Sequence, residues 1–154
     1  MNRKVVYVVA VVALMALGCI GVKWIRQQAV VAAQNAPWRQ LAKKDEQRLL
    51  EAYQKRQQHV QVAVTGRVIK LLPDHENRPR HQRFLIEVGN GMTLQVAHNL
   101  DLAPRVPGLE YGNQISAAGE YSWNEQGGVL LWTHRDKEGQ HPDGWLEFNG
   151  VRYQ

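Results

Sequence analysis

Five histidines fall between residues 60 and 154: His75, His81, His98, His134 and His141. Four of them stand beside acids or amides. His81 adjoins Gln82, His98 adjoins Asn99 with Asp101 nearby, His134 is close to Asp136, and His141 is close to Asp143. Neutral imidazoles with carboxylate neighbours ligate zinc, copper or nickel when they converge. The cofactor these residues point to is a divalent transition metal, with His81, His98 and His134 as ligands and Asp101 or Asp136 as the carboxylate partner. A metal-bound water would then be a nucleophile near neutral pH. Without a metal, the same groups would form His–carboxylate acid–base pairs. Spacing does not choose between these. Gaps of 17, 36 and 7 residues separate His81, His98, His134 and His141, so only the fold can bring them together. No pair has the one-helix spacing of a metal motif, and loop histidines also serve as hydrogen-bonded structural groups.

Aromatic residues add a second possibility. Phe84, Tyr111, Tyr121, Trp123, Trp132 and Trp145 are either core and cross-strand packing or an exposed stacking surface. Trp132 alternates with Leu131 and Thr133, so Leu131 and Trp132 face opposite sides of a strand. The Trp132-Thr133-His134 edge is therefore the best placed to bind something. The expected ligand-binding set is His81, Gln82, His98, Asn99, Asp101, Trp132, His134, Asp136 and His141. Arg78, Arg80 and Arg83 form a possible anion-binding rim, with Asp74 and Glu76 in the same loop to pair with them.

These residues need a scaffold, and the hydropathy pattern predicts an all-β one. From Val60 the period is two: Val60, Val62 and Val64 alternate with Gln61, Ala63 and Thr65. Gly66 permits a bend, the strand continues through Val68–Leu72, and Pro73-Asp74 ends it. Asp74–Arg80 is a polar loop. Strands over Phe84–Val88 and Met92–Val96 flank a Gly89-Asn90-Gly91 hairpin turn. His98–Gly112 is an irregular connection with Pro104 and Pro107. Strands over Ile115–Trp123 and Val129–Thr133 flank an Asn124–Gly128 turn, and Gly119 is a kink. The Gly/Pro-broken remainder offers Trp145, Leu146 and Phe148 to close one end. A kinked first strand, a hairpin, a long connection and a second hairpin predict a small five-stranded OB-like barrel over residues 60–154. A small β-sandwich is the alternative.

Before the barrel, residues 35–59 read as an amphipathic linker helix. Asn35 would cap it and Pro37 lies in its first turn. Trp38, Leu41, Ala42, Leu49, Ala52 and Tyr53 form its apolar stripe, interrupted by Asp45 and Glu46. It is either a stalk of about 30 Å or a helix docked on the domain.

Residues 1–34 read as a membrane anchor or signal with a basic flank. Val5–Val22 is an 18-residue stretch without a charge, the lower limit of a membrane span. Lys23 and Trp24 follow at the interface position. An uncleaved single-pass anchor in a bacterial inner membrane, with the domain in the periplasm, is the preferred expectation. Cleavage after Ala33, or lipidation at Cys19 within Ala16-Leu17-Gly18-Cys19, are the alternatives. Residues 1–59 hold ten basic and three acidic residues, a balance of +7, whereas residues 60–154 hold nine and eleven, a balance of −2. The basic excess thus lies beside the apolar run, where it favours anionic headgroups. The acidic balance of the domain argues against nucleic acid as a partner. Cys19 is the lone cysteine, so an intramolecular disulfide is excluded.

Several words in order along the domain resemble the uncharacterised bacterial family "domain of unknown function 3465". They are GRVIKLLPD at Gly66–Asp74, RHQRF at Arg80–Phe84, AHNLDLAP at Ala97–Pro104, GEYSWNEQGG at Gly119–Gly128, WTH at Trp132–His134 and HPDGW at His141–Trp145. Members of that family carry His-Trp-Thr-His-His-Asp-Pro where this chain has Leu131 through Lys137. Leu131, Arg135 and Lys137 depart from the pattern, so imidazoles at positions 131 and 135 are not required here. The resemblance implies no activity. Leu94–Pro104 also resembles the strand-to-loop word of staphylococcal-type nucleases, with His98 where those enzymes carry arginine. Together these features predict an envelope-facing binding module for a small ligand or envelope protein. The alternative is a metal- or His/Asp-dependent, nuclease-like hydrolase built on the same histidines.

Overall fold

The computed structural model describes residues 37–154 apart from Asn90, with side chains from Lys44 onward. The Val5–Val22 run, Cys19, the Ala33 cleavage position and the Asn35 cap lie outside the described residues. Among the described residues no helix is long and apolar enough to cross a membrane. Leu41–Gln154 forms one compact unit.

Helix α1 spans Pro37–Gln54. Leu49 and Ala52 on its inner side are fully buried and join the core of the sheet. The helix is therefore docked, not a free stalk. The acids that break its stripe have a reason to do so. Asp45 accepts the Ala63 backbone N–H at 3.2 Å, and Glu46 lies over Gly89, where a Cβ would come within 2.9 Å of its carboxylate. Arg56, at φ 53°, ends the helix in a left-handed cap. The Gln57 N–H reaches the Ala52 carbonyl at 2.8 Å and the Arg56 N–H reaches that of Tyr53 at 3.1 Å, which satisfies the last carbonyls.

Seven strands follow: β1 Val60–His75, β2 His81–Val88, β3 Thr93–Asn99, β4 Gln114–Ser122, β5 Val129–Leu131, β6 Trp145–Phe148 and β7 Val151–Tyr153. They make one sheet in which five strands close on themselves, in the order β1-β2-β3-β5-β4 and back to β1. The closure depends on β1. Its first half, Val60–Arg67, pairs antiparallel with β4, and Gly66–His75 pairs antiparallel with β2. At the changeover a Cβ on Gly66 would lie 2.9 Å from the Glu87 carbonyl oxygen, so the bend requires glycine. A register shift between Val68 and Lys70 adds further curvature. β3 and β5 pair in parallel through Gln95–Val129 and Val96–Leu130, which the long connection and the β4 turn make possible.

Alternation fills the ring. Val62, Val64, Val68, Phe84, Ile86, Leu94, Val96, Ile115, Ala117, Tyr121 and Leu130 point inward and are nearly solvent-free. Burial of these side chains is the main stabilising term.

The five-strand expectation is one hairpin short. Trp145, Leu146 and Phe148 do not merely cap an end: they form β6, which pairs with β4 across Ser116–Ala118. β7 folds back on β6 through Asn149 at φ 51° and Gly150 at φ 77°. Two successive positive φ values are what a two-residue type I′ hairpin demands, and Asn-Gly is its preferred pair. β1 runs into the expected Asp74–Arg80 loop as far as His75, β2 starts at His81 ahead of the expected Phe84, and Val129–Leu131 is shorter than the expected fifth strand.

Candidate functional site

β5 stops at Leu131 because Trp132 adopts φ 54°, a conformation uncommon for a bulky side chain. The turn breaks the strand alternation. Trp132 faces outward and is 44% exposed, while Thr133 and His134 both turn inward at 0% and 4% exposure. Close backbone approach holds this turn. A Cβ on Gly144 would collide with the Trp132 carbonyl oxygen and come within 2.8 Å of that of Ala118. Gly144 also donates its N–H to the His134 carbonyl at 2.9 Å.

Between His134 and Gly144 the chain makes a tied loop centred on Asp136. The Asp136 carboxylate accepts the backbone N–H groups of Glu138 at 2.9 Å and His141 at 2.5 Å. Asp143 in turn accepts the Asp136 N–H at 2.8 Å. The backbone N–H groups that the Asp136 carboxylate accepts, that of His141 first, hold its pKa below the ordinary range. The loop folds His141 back onto the turn. Ring centroids of Trp132, His134 and His141 form a triangle with sides of 4.7 Å (Trp132–His141), 5.1 Å (His134–His141) and 5.8 Å (Trp132–His134).

The two imidazoles of this triangle have the same tautomer. His134 Nδ1 is 3.0 Å from the Arg135 carbonyl oxygen and His141 Nδ1 is 2.8 Å from that of Pro142. A carbonyl only accepts, so each Nδ1 carries the proton and donates. Each neutral ring then keeps its lone pair on Nε2. The His134 Nε2 is buried and has no hydrogen-bond partner among the described residues. Buried polar atoms without partners are rare and costly. The His134 ring centroid lies 5.8 Å from that of the exposed Trp132.

The remaining expected site residues are organised differently. His98 is fully buried. Its Nε2 donates to the Pro104 carbonyl at 3.0 Å, and its Nδ1 accepts from the Thr133 hydroxyl at 2.8 Å. Burial, ahead of all other causes, pushes its pKa below the ordinary imidazole value, with His134 and His81 acting in the same direction. With both ring nitrogens committed, His98 has no lone pair for a metal and no carboxylate as an acid–base partner. Asp101, its expected partner, instead accepts from the Arg80 N–H at 2.9 Å and from its guanidinium at 2.7 and 2.8 Å. Those bonds lower the Asp101 pKa. Asn99 accepts the Asp101 N–H at 2.9 Å. Gln82 is buried and makes a two-point amide bridge to Val106, donating to its carbonyl at 3.0 Å and accepting from its N–H at 2.9 Å. His81 stacks obliquely near His75 with ring centroids 6.1 Å apart, and burial lowers its pKa.

The expected set thus divides. His81, His98 and His134 do not come together as metal ligands, and among the described residues no group of three or more His, Cys, Asp or Glu is placed to hold a metal ion. Gln82, His98, Asn99 and Asp101 hold the His98–Gly112 connection against β2 and β3. Trp132, His134, Asp136 and His141 form one cluster at the end of β5. The arginine rim is also dispersed: Arg80 binds Asp101, Arg83 donates to the Pro73 carbonyl at 2.8 and 3.0 Å, and Asp74 pairs with Arg105. Thr133, Gly144 and Asp143 were not singled out by sequence for the roles they have. The Thr133–His98 bond joins positions 35 residues apart, and nothing local encodes it.

A small protein with a five-strand closed sheet and a surface aromatic–imidazole cluster is the class these features define. The chain belongs to the family described as "Protein of unknown function (DUF3465)", whose model matches residues 31–154. No curated protein matches the chain.

Proposed function

We propose that this protein is a binding module: an OB-like barrel whose ligand docks on the Trp132, His134 and His141 cluster. The observation that carries the reading is the solvent-free His134 Nε2, which has no hydrogen-bond partner among the described residues and belongs to a ring 5.8 Å from an indole that is 44% exposed. A ligand that stacks on Trp132 and meets that nitrogen would satisfy it. The ring order β1-β2-β3-β5-β4, closed by β1–β4 pairing, supports the OB-like description. The uncharged Val5–Val22 run and its basic flank support tethering to a bacterial inner membrane with the domain on the envelope side. The acidic balance of residues 60–154 favours a small ligand or an envelope protein over nucleic acid. Hydrolysis has less support, because His98 and Asp101 are committed to structural bonds.

The test is a binding panel of sugars, amino acids, nucleosides and metal ions added to the full-length chain, followed by the NMR signals of the Trp132 indole and the His134 ring. Ligands are expected to move both signals and to lose affinity in Trp132→Gly and His134→Gln. Ligands bound equally well by both variants would overturn the reading.

A further inference from the structure

We propose that the Nε2 atoms of His134 and His141 together bind a monovalent coinage-metal ion, Cu(I), beside the Trp132 indole. This rests on the reading of that cluster as the binding face. Four observations support it. Each imidazole has its Nδ1–H fixed on a neighbouring backbone carbonyl, at 3.0 Å for His134 and 2.8 Å for His141. A backbone acceptor on one ring nitrogen is how proteins orient the other toward a metal. The His134 Nε2 is already desolvated, and neither it nor the His141 Nε2 makes a hydrogen bond to the described residues. The two ring centroids are 5.1 Å apart. The third ring of the triangle offers an indole face, whose quadrupole favours a cation.

The donor set also selects the ion. Both nearby carboxylates are engaged by backbone N–H groups, and among the described residues no third ligand completes a site. Zinc in a structural site takes four protein ligands. Cu(I) is satisfied by few, soft or borderline donors and accepts imidazole. The Asp136-centred loop fixes the second imidazole before the ion arrives, which is what a preorganised site requires. His141 is half-buried, so the ion enters from its side.

Silver(I), the redox-inert analogue, is the probe. It is titrated into the full-length chain in mild detergent and chloride-free buffer, in a Cys19→Ser background so that the lone thiol does not compete. One silver ion per chain is expected, moving the Nε2 resonances of both His134 and His141 while those of His81 and His98 stay in place. His134→Gln and His141→Gln each weaken binding about tenfold or more, and His81→Gln leaves it unchanged. If His134→Gln fails to fold, the half-exposed His141→Gln decides alone. The proposal is overturned if silver moves only one of the two rings, if it binds elsewhere, or if Zn(II) binds through these histidines and silver does not. Failure of silver together with an organic ligand that still moves Trp132 and His134 would sink the metal and leave the binding face standing.

Discussion

The Thr133 hydroxyl donates to Nδ1 of His98 across 2.8 Å, and both side chains are fully buried. The bond joins β3 to the turn after β5, the strand that pairs in parallel with β3. It also places Trp132 and His134, the neighbours of Thr133, on either side of the anchored position. The core thus sets the geometry of the surface cluster.

Removing that hydroxyl while keeping its shape should be costly. Thr133→Val leaves the His98 Nδ1 buried without a donor and should destabilise the fold by about 1–3 kcal/mol. Urea denaturation of the single variants and of Thr133→Val with His98→Leu checks it. The two changes should be strongly non-additive, because they delete the same bond.

Acid should weaken the fold through His98. Its folded pKa is lowered by burial from an ordinary 6.5, so the unfolded chain binds more protons in mild acid. Stability is then full above pH about 6.5 and falls as pH drops from there toward the folded value. His81 adds a shift of the same sign. Denaturation midpoints measured between pH about 7.5 and about 5 should fall with pH, and His98→Leu should flatten the profile. Equal slopes in the two proteins would contradict the assignment.

Gln82 clamps the connection after β3. Gln82→Leu strands both the N–H and the carbonyl of Val106 and should cost about 1–3 kcal/mol. Hydrogen exchange should show the Val106 amide losing protection before the amides of β2 and β3.

Gly144 has no room for a methyl group. Gly144→Ala drives its Cβ into the Trp132 carbonyl and should destabilise by about 1–3 kcal/mol or more. The Trp132 indole signal should move in the same variant, since the collision is with its own backbone.

Much of the scaffold was legible. The Val60–Val64 alternation, the Gly66 bend and the Gly89–Gly91 turn all depend on local rules, and each has its expected place. Asn149-Gly150 was equally legible as a type I′ hairpin, yet the flanking strands are only four and three residues long, too short for alternation to be read. The site was half legible. Trp132, His134, Asp136 and His141 are near in sequence and are gathered by a single loop, so proximity was a fair guide. His81 and His98 sit in adjacent strands too, but register, burial and the Pro104 carbonyl direct His98 inward. Metal ligation by the expected trio depended on those long-range facts. The left-handed Trp132 had no signal at all, because a tryptophan between Leu131 and Thr133 reads as a continuing strand.

Trp132→Gly tests the proposed binding apart from folding. Glycine accepts the φ of 54° more readily than tryptophan, and the lost side chain is 44% exposed. The most direct test of the binding face is therefore to compare wild type with Trp132→Gly in the same ligand panel, measuring stability and affinity together. The account predicts a stability change under about 1 kcal/mol with affinity lost for every ligand that moves the His134 ring. Unchanged affinity in a folded Trp132→Gly protein would contradict it.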